Sequence, residues 1–480
     1  MPELNDRALS PVWRQGELLD VEIADLSDRG DGVGRWQERV VFVPDTVTGD
    51  RVRVRLVHVK PQFAHAKLVE ILSPSEQRIR PRCIVADKCG GCQWQHIDYA
   101  AQLAAKQQLV TQALIRIGAI AAPPVEPVLH AADLCYRNKA TYPLRRAKVD
   151  KPKAGQPDST TNSVMAGYYQ KGSHHLINLN QCPIQDDRLN PLLAEIKQDI
   201  QQRGWSLYNE TTHQGKLRHL GLRIGRRTGE ILLTLISKEA GLVGLEAQAE
   251  AWRDRYPHLV GVLLNLNPDR TNAIFGDQTR CIVGQPHLRE EFAGCTFQVG
   301  ADTFFQVNTE VAESLVETIL TTLNLQGTET VVDAYCGIGT LTLPIARQVQ
   351  RVIGLEVQRS AIDQAYHNAA LNQIENVQFQ VGTVETLLPQ LDVAPDIVIL
   401  DPPRKGCDRA VLETLRDLHP PRIVYVSCNP ATLARDLKIL LPDRYTLSRV
   451  QPADFFPQTP HVECAAFLER SPAIATEPSV

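Results

Sequence analysis

The hexapeptide VSCNPA, residues 426–431, sets Cys428 directly after an apolar run over 423–426 that reads as a strand. Upstream lie a glycine-rich turn, VVDAYCGIGT over 331–340, an acidic residue at Glu356, and ILDPPRKG over 399–406. A thiol beside such a turn suits transfer of a methyl group to a carbon that cannot attack unaided. Carbon 5 of uracil is such an atom. A thiolate that adds to carbon 6 gives an enolate with carbanion character at carbon 5, which attacks the sulfonium methyl of S-adenosylmethionine; covalent catalysis divides one hard step into easier ones. A base must then remove the carbon 5 proton, so that the cysteine leaves and the ring is restored. The segment TPHVECAAFLER, over 459–470, offers Glu463 inside an apolar run, where desolvation raises a carboxyl pKa toward neutrality.

These residues need a scaffold that presents strand ends. From about Ala301 the pattern alternates, with strands predicted over 330–333, 351–356 and 396–400 and helices over 341–349 and 361–372. That is a doubly wound α/β sheet, whose ligand sits at the carboxyl ends of the strands. The turn Cys-Gly-Ile-Gly-Thr is tight, and Glu356 ends the next strand, where an acidic residue accepts hydrogen bonds from ribose hydroxyls. The first part of the chain reads as a small β-barrel. Gly30, Gly32 and Gly34 punctuate short apolar strands, and RVRVRL over 51–56 alternates strictly until Val57, where a bulge is predicted. A helix is predicted over 99–117 with Leu103, Val110, Leu114 and Ile117 on one face, ended by Gly118. The section over 176–299 mixes strands, such as 230–236 and 259–264, with helices. The polar stretch over 147–164 reads as a loop inserted between strands, and the last ten residues as a disordered tail.

At 480 residues the chain exceeds the usual single domain. No basic region followed by an apolar stretch opens it, and no run approaches the roughly 18 apolar residues of a membrane span, so a soluble cytoplasmic protein is expected. Its 11 cysteines then point to metal, redox or catalytic use rather than disulfides. Cys83, Cys89 and Cys92 are spaced C-x5-C-x2-C, with Gly90 and Gly91 between the last two. A fourth ligand is required, and Cys182, followed by a proline, is the best candidate for an iron-sulfur site; structural zinc, which favours paired C-x-x-C units, is the competing reading, and buried thiols a third. The formal net charge is −4, yet basic residues cluster. There are nine against three acidic over 51–88, seven against one over 137–153, and five against none over 216–227. This distribution favours a phosphate-rich ligand.

With these pieces the chain resembles the RNA uracil-5-methyltransferases of the RumA/TrmA group, in the branch that carries an N-terminal TRAM domain and an iron-sulfur cluster. The resemblance runs from about Gln15 to Arg470. It rests on the cysteine loop with its distant Cys-Pro, FFQVN over 304–308, DAYCGIGT, DPPRKG, SCNPATLARDL and the terminal PHVE. It implies Cys428 as nucleophile and Glu463 as base, S-adenosylmethionine contacts from Gln306, Tyr335, Thr340, Glu356, Thr383 and Asp401, and a 4Fe-4S cluster on Cys83, Cys89, Cys92 and Cys182. Thr340 departs from the family, where Asn is common, and the insertion over 147–164 is longer than the family pattern. The implied organisation is a TRAM OB-like RNA-binding barrel over 11–73, an α+β central iron-sulfur and RNA-binding domain over 74–300, whose helix over 99–118 packs on the catalytic domain, a Rossmann-like S-adenosylmethionine-dependent methyltransferase domain over 301–470, and a tail over 471–480.

The implied partner is 23S ribosomal RNA, bound by a monomer. Cys336, Cys407 and Cys464 read as small buried hydrophobes, and Phe304 and Phe305 as core residues rather than a platform for a flipped base. Two other functions remain open, methylation of a transfer-RNA uridine and a non-catalytic RNA-binding iron-sulfur protein; an intact Cys428 and Glu463 count against the second. An amino or cytosine methyltransferase is weakened because DPPR lacks the aromatic residue of DPPY and the cysteine lies in SCNP rather than a Pro-Cys loop.

Overall fold

The computed structural model describes residues 13–147 and 163–471. The expected inserted loop, apart from its two ends, and the expected tail beyond Ser471 lie outside the described residues. The chain divides into two units. One comprises residues up to Asp87 with Cys92–Leu109 and Gln458–Pro460; the other comprises Lys88–Gly91, Val110–Pro457 and the chain from His461.

In the first unit, strands Leu18–Leu26, Gly32–Trp36, Arg39–Val43, Arg51–Val59 and Phe63–Ser73 form a closed barrel, with the fifth strand between the third and the fourth. The alternation in RVRVRL sends Val52, Val54 and Leu56 into the barrel core and leaves the arginines outside, Arg53 bridging to Asp20 at 2.8 Å. Past Leu56 the ladder to the last strand shifts register, as the broken alternation requires. Trp94 is fully buried and its indole donates to the Gly30 carbonyl at 3.1 Å.

The helix Tyr99–Arg116 corrects one sequence expectation. Its buried stripe runs Gln102, Lys106, Val110, Leu114, whereas Ile117 is 41% exposed. Spacing by four residues is kept, but the stripe begins with two polar side chains that hydrophobic periodicity cannot register. Gln102 donates to the carbonyls of Trp94 and Ile97 and to Gln458, which keeps its amide satisfied without water.

The second unit holds two seven-stranded sheets. The first runs Gln278–Gly284, Leu259–Leu266, Ile231–Ser237, Leu217–Ile224, Lys139–Arg146, Val164–Tyr169, Leu176–Asn178. Its fourth strand carries part of the basic stretch over 216–227, and here the sequence reading is overturned. That strand is buried along almost its whole length, so its arginines turn to the protein. Arg223 donates to the Gly300 and Thr303 carbonyls at 2.8 and 2.7 Å, and Arg218 to those of Asn267 and Asp269 at 2.8 and 2.7 Å. Arg226 pairs with Asp186 and Glu310 and Arg227 with Glu313. Buried Arg218 and Arg223 hold loops, while Arg226 and Arg227 are engaged by carboxylates, two of them on the helix Thr309–Leu323.

The second sheet has the order Val377–Val381, Arg351–Glu356, Thr330–Ala334, Ile397–Leu400, Arg422–Ser427, Glu463–Arg470, Tyr445–Ala453. The first five strands are parallel; Glu463–Arg470 is antiparallel to both neighbours. Such strands bury both faces and so read as continuous apolar runs. Val331, Val352, Ile397, Ile399, Val424 and Val426 enter one core, while Val332, Ile353, Val398, Leu400, Ile423 and Tyr425 enter the other. Helices Thr309–Leu323 and Arg359–Leu371 cover the first face. Helices Arg409–Leu418 and Pro430–Leu440, with Val110 and Leu114, cover the second. The hairpin Leu288–Phe292 and Cys295–Val299 also packs into the first core through Phe292 and Phe297. Cys336, Cys407 and Cys464 are buried, as small hydrophobes are.

Candidate active site

Strand order reverses on either side of Thr330–Ala334, and the carboxyl ends of the parallel strands at such a switch are where ligands bind in sheets of this kind. Tyr335, Glu356, Asp401 and Cys428 each stand at or just past such an end. Glu463 joins them for the opposite reason. Its strand runs antiparallel, so the first residue of that strand lies at the same edge, where Cys464 pairs with Ser427.

The SCNP sequence explains how Cys428 is held. The Ser427 hydroxyl accepts from the Asn429 amide at 3.2 Å, the Asn429 side chain caps the next helix by accepting from the Ala431 amide at 3.0 Å, and Pro430 fills the first helical position, where no amide partner is needed. A helix N-terminus favours a thiolate. Burial opposes it more strongly, with Glu463 and Asp401 adding to the opposition, and the thiol is pushed up to about 11 despite Arg404. Glu463 is 8% exposed; burial, then Asp401, push its carboxyl up to about 8, against the pull of Arg404. Asp401 is pushed up to about 7 by burial alone. Arg404 reaches His461 through Nη2 and Nδ1 at 3.4 Å, and His461 meets the Phe456 ring edge-on.

The loop that carries Asp401 and Arg404 is tied to the helix that follows Cys428. Asp436 Oδ2 accepts from the Cys407 amide at 3.0 Å and the Tyr425 hydroxyl at 2.7 Å, and Arg435 donates to the Lys405 carbonyl at 2.9 Å. Gly406 has φ +79, and a Cβ there would stand 2.6 Å from Asp436 Oδ2 and from Arg435 Nη2. Only glycine fits so close an approach.

At the glycine-rich turn, Tyr335 takes φ +69 and Gly339 φ +91. Tyr335 and Cys336 both donate to the Leu355 carbonyl. The Glu356 carboxylate accepts from the amides of Gly337 at 3.2 Å and Gln358 at 2.8 Å, so part of its capacity for ribose hydroxyls is spent on bracing the turn. Thr340 precedes the short helix Thr342–Ala346, Thr383 sits exposed at the start of Val384–Leu387, and Gln306 lies before Thr309–Leu323 with its carbonyl accepting from Asn138 Nδ2 at 2.9 Å. No side-chain hydrogen bond joins Gln306 or Thr340 to the turn among the described residues.

Sequence reasoning missed three residues. Asp333, buried below the turn, is pushed up to about 7 by burial, accepts from the Thr342 hydroxyl and keeps its Oδ1 without a partner. The apolar run that hides it was its signal. Arg404 and His461 lay inside the quoted motifs, but which way they face depends on the loop that positions them. Phe305 packs with Phe292 and Phe297, whereas Phe304 is 74% exposed, correcting its reading as a core residue.

Cys83 and Cys92 belong to the first unit, and Cys89 and Cys182 to the second. Among the described residues, no group of three or more His, Cys, Asp or Glu stands arranged to hold a metal ion. Within the second unit, Cys89 and Cys182, 93 positions apart in the sequence, both act on the hydroxyl of half-buried Tyr168. The Gly91 amide donates to Cys89 Sγ at 3.4 Å, Arg137 acts on the same tyrosine, and both polar atoms of the Gln185 side chain are buried without a partner. Soft thiol ligands beside a cation and orphaned polar atoms fit an anionic thiolate-bound group.

The fold defines a doubly wound α/β nucleotide-binding domain with a thiol and a carboxyl at its open edge. Residues 287–471 match the family model described as tRNA (Uracil-5-)-methyltransferase, and residues 12–69 match the TRAM domain. An RNA methyltransferase of Nostoc sp. is 66% identical over 459 residues, 95% of this chain and 97% of its own. One from Bacillus cereus is 39% identical over 466 residues, 96% and 98% of the two chains. The crystal structure of the Pyrococcus abyssi tRNA (uracil-54, C5)-methyltransferase in complex with S-adenosyl-L-homocysteine matches with a TM-score of 0.75 at 26% identity, over 94% of this chain and all of that one. This chain belongs to the RNA uracil-5-methyltransferases, the RumA/TrmA family, and is an enzyme of that class.

Proposed function

We propose that the protein methylates carbon 5 of a uridine in structured RNA through a covalent bond between Cys428 and the base. The observation that carries this reading is the meeting of Cys428 and Glu463 at the switch edge of the sheet, next to a glycine-rich turn. S-adenosylmethionine, when bound, supplies an electrophilic methyl group. Its binding is assigned to Tyr335, Thr340, Glu356, Thr383, Gln306 and Asp401; the P. abyssi relative, solved in complex with S-adenosyl-L-homocysteine, supports the choice of donor.

Cys428 adds to carbon 6 of the uracil, helped by the helix N-terminus behind it and the Arg404 charge beside it. Carbon 5, now carbanionic, takes the methyl group. Glu463, freed of solvent and held near neutral pKa, then removes the carbon 5 proton, and the Cys428–carbon 6 bond breaks as the ring regains its double bond. A base in folded RNA must leave its stack to reach Cys428.

The cysteine spacing supports a 4Fe-4S cluster on Cys83, Cys89, Cys92 and Cys182, a structural anchor that uracil methylation does not use for electron transfer. The cluster and TRAM domain favour 23S ribosomal RNA as substrate, met in the cytoplasm by a monomer. The tRNA uridine is the second reading, favoured by the P. abyssi relative. Mapping 5-methyluridine in ribosomal and transfer RNA from cells with and without the gene decides between them. Trapping tests the chemistry: Glu463→Gln should accumulate a denaturant-resistant protein–RNA adduct that Cys428→Ala abolishes, and no adduct with RNA bound removes Glu463 from the role of base.

A further inference from the structure

The segment that carries Gln306 has no regular structure, yet it is held by buried donors. Residues 300–308 join the hairpin strand Cys295–Val299 to the helix Thr309–Leu323, and connections of this kind ordinarily give their carbonyls to water. Asn308 caps the helix, its side-chain oxygen accepting from the Val311 amide at 3.4 Å. Before it, the carbonyls of Gly300, Thr303, Gln306 and Val307 accept from two residues of the first sheet. Arg223 donates to Gly300 at 2.8 Å and to Thr303 at 2.7 Å. Asn138 donates to the other two, through Nδ2 to Gln306 at 2.9 Å and through its amide to Val307 at 3.0 Å. Asn138 is 3% exposed and precedes the strand Lys139–Arg146; its own carbonyl accepts from the Ile224 amide, at the end of the adjoining strand. Nδ2 also donates to the Thr309 hydroxyl at 3.1 Å, so both side-chain donors of Asn138 are spent on one short stretch. The Gln306 side chain, by contrast, is half-buried and makes no hydrogen bond among the described residues.

We propose that Asn138 is a positioning residue for the methyl donor: it fixes the Gln306 carbonyl, and with it the direction in which the Gln306 amide meets S-adenosylmethionine. The proposal rests on the assignment of Gln306 to the donor and names what aims that contact. A hydrogen bond weakens steeply when it is misaligned, and a side chain is aimed only as well as its backbone is held. Asn138 is buried with both side-chain hydrogens taken, so it acts through Gln306 rather than on the donor itself. The first sheet thereby contributes to donor affinity although its strands lie outside the doubly wound domain.

The test is calorimetric titration of the full-length protein with S-adenosyl-L-homocysteine in the absence of RNA, which gives the dissociation constant and the number of sites separately. Gln306→Ala, Asn138→Asp and the double variant form a cycle. Asn138→Asp keeps the size of the side chain and sets an oxygen against the Gln306 carbonyl; Asn138→Ala, which only removes the donor, serves if the first variant fails to fold. Each single variant should weaken binding about threefold to tenfold, the worth of one hydrogen bond. The double variant should bind no more weakly than Gln306→Ala, because alanine leaves no amide to aim. Fewer sites with an unchanged dissociation constant in Asn138→Asp would mean a merely structural role and overturn the proposal. Losses that multiply in the double variant overturn it too, since Asn138 would then act by a route other than Gln306. If Gln306→Ala binds like wild type, the donor assignment falls and the proposal with it. No RNA enters the titration, so a cycle that behaves as expected, in a protein that methylates no uridine, would sink the catalytic reading alone.

Discussion

Glu463 and Asp401 are acids that burial holds near neutrality, and no hydrogen bond among the described residues reaches their carboxyl groups or the Cys428 thiol. A group without a protein partner at a strand edge is available to a ligand. For Glu463 the shift is also a statement about stability. Its folded pKa of about 8 lies above the ordinary 4.5, so the folded state holds a proton that the unfolded chain has released between those values, and its contribution to stability is lost as pH rises through that window. Glu463→Gln, which cannot ionise, should therefore melt increasingly above wild type from pH 4.5 to pH 8, by on the order of a few kcal/mol at the upper end. A melting difference that is flat across that range would show Glu463 to be solvated. Activity should move the other way, rising with pH as Glu463 becomes a competent base. Because Arg404 pulls down both Glu463 and Cys428, Arg404→Gln should shift the rising limb of the kcat/KM profile to higher pH, and Arg404→Lys should return part of it. An unshifted profile would place the Arg404 charge elsewhere in the RNA complex.

At the scale of elements, two loops from different parallel strands form the site because Asp436 joins them. Its carboxylate accepts from Cys407, Tyr425 and Arg435. Asp436→Ala leaves the buried Tyr425 hydroxyl without an acceptor and the Cys407 amide with that hydroxyl alone, and should cost about 1–3 kcal/mol in unfolding free energy, with methylation falling further than stability alone explains. Urea melts and single-turnover rates on one preparation check both; a rate that tracks only the folded fraction would reduce Asp436 to a packing residue. The strands themselves were legible, because burial on both faces makes 351–356 or 423–426 an unbroken apolar run. The arginines over 216–227 and the Gln102–Lys106 stripe were not. Buried Arg218 and Arg223 take carbonyl partners from loops far away in the sequence, and Gln102 takes its own from the turn just before its helix and from distant Gln458, pairings that periodicity does not register.

Across the whole molecule, motif order carried more than pattern did: SCNP, DPPRKG and PHVE named the strand edge where the structure gathers Cys428, Asp401 and Glu463, while Asp333, Arg404, His461 and exposed Phe304 emerged only from tertiary placement. No helix among the described residues is long and apolar enough to cross a membrane. The four-cysteine assignment makes its own prediction. Protein purified without oxygen should be brown, with iron and sulfide in near-equal amounts, and Cys182→Ser should lose both along with RNA affinity. Stoichiometric zinc without sulfide would overturn it.

The central claim, attack by Cys428 followed by loss of the carbon 5 proton, is tested most directly with RNA carrying tritium at carbon 5 of uridine. Each methyl group incorporated should release one tritium to water, and Cys428→Ala should abolish both. Methyl incorporation without tritium release would contradict the account, since the methyl group would then lie on another atom.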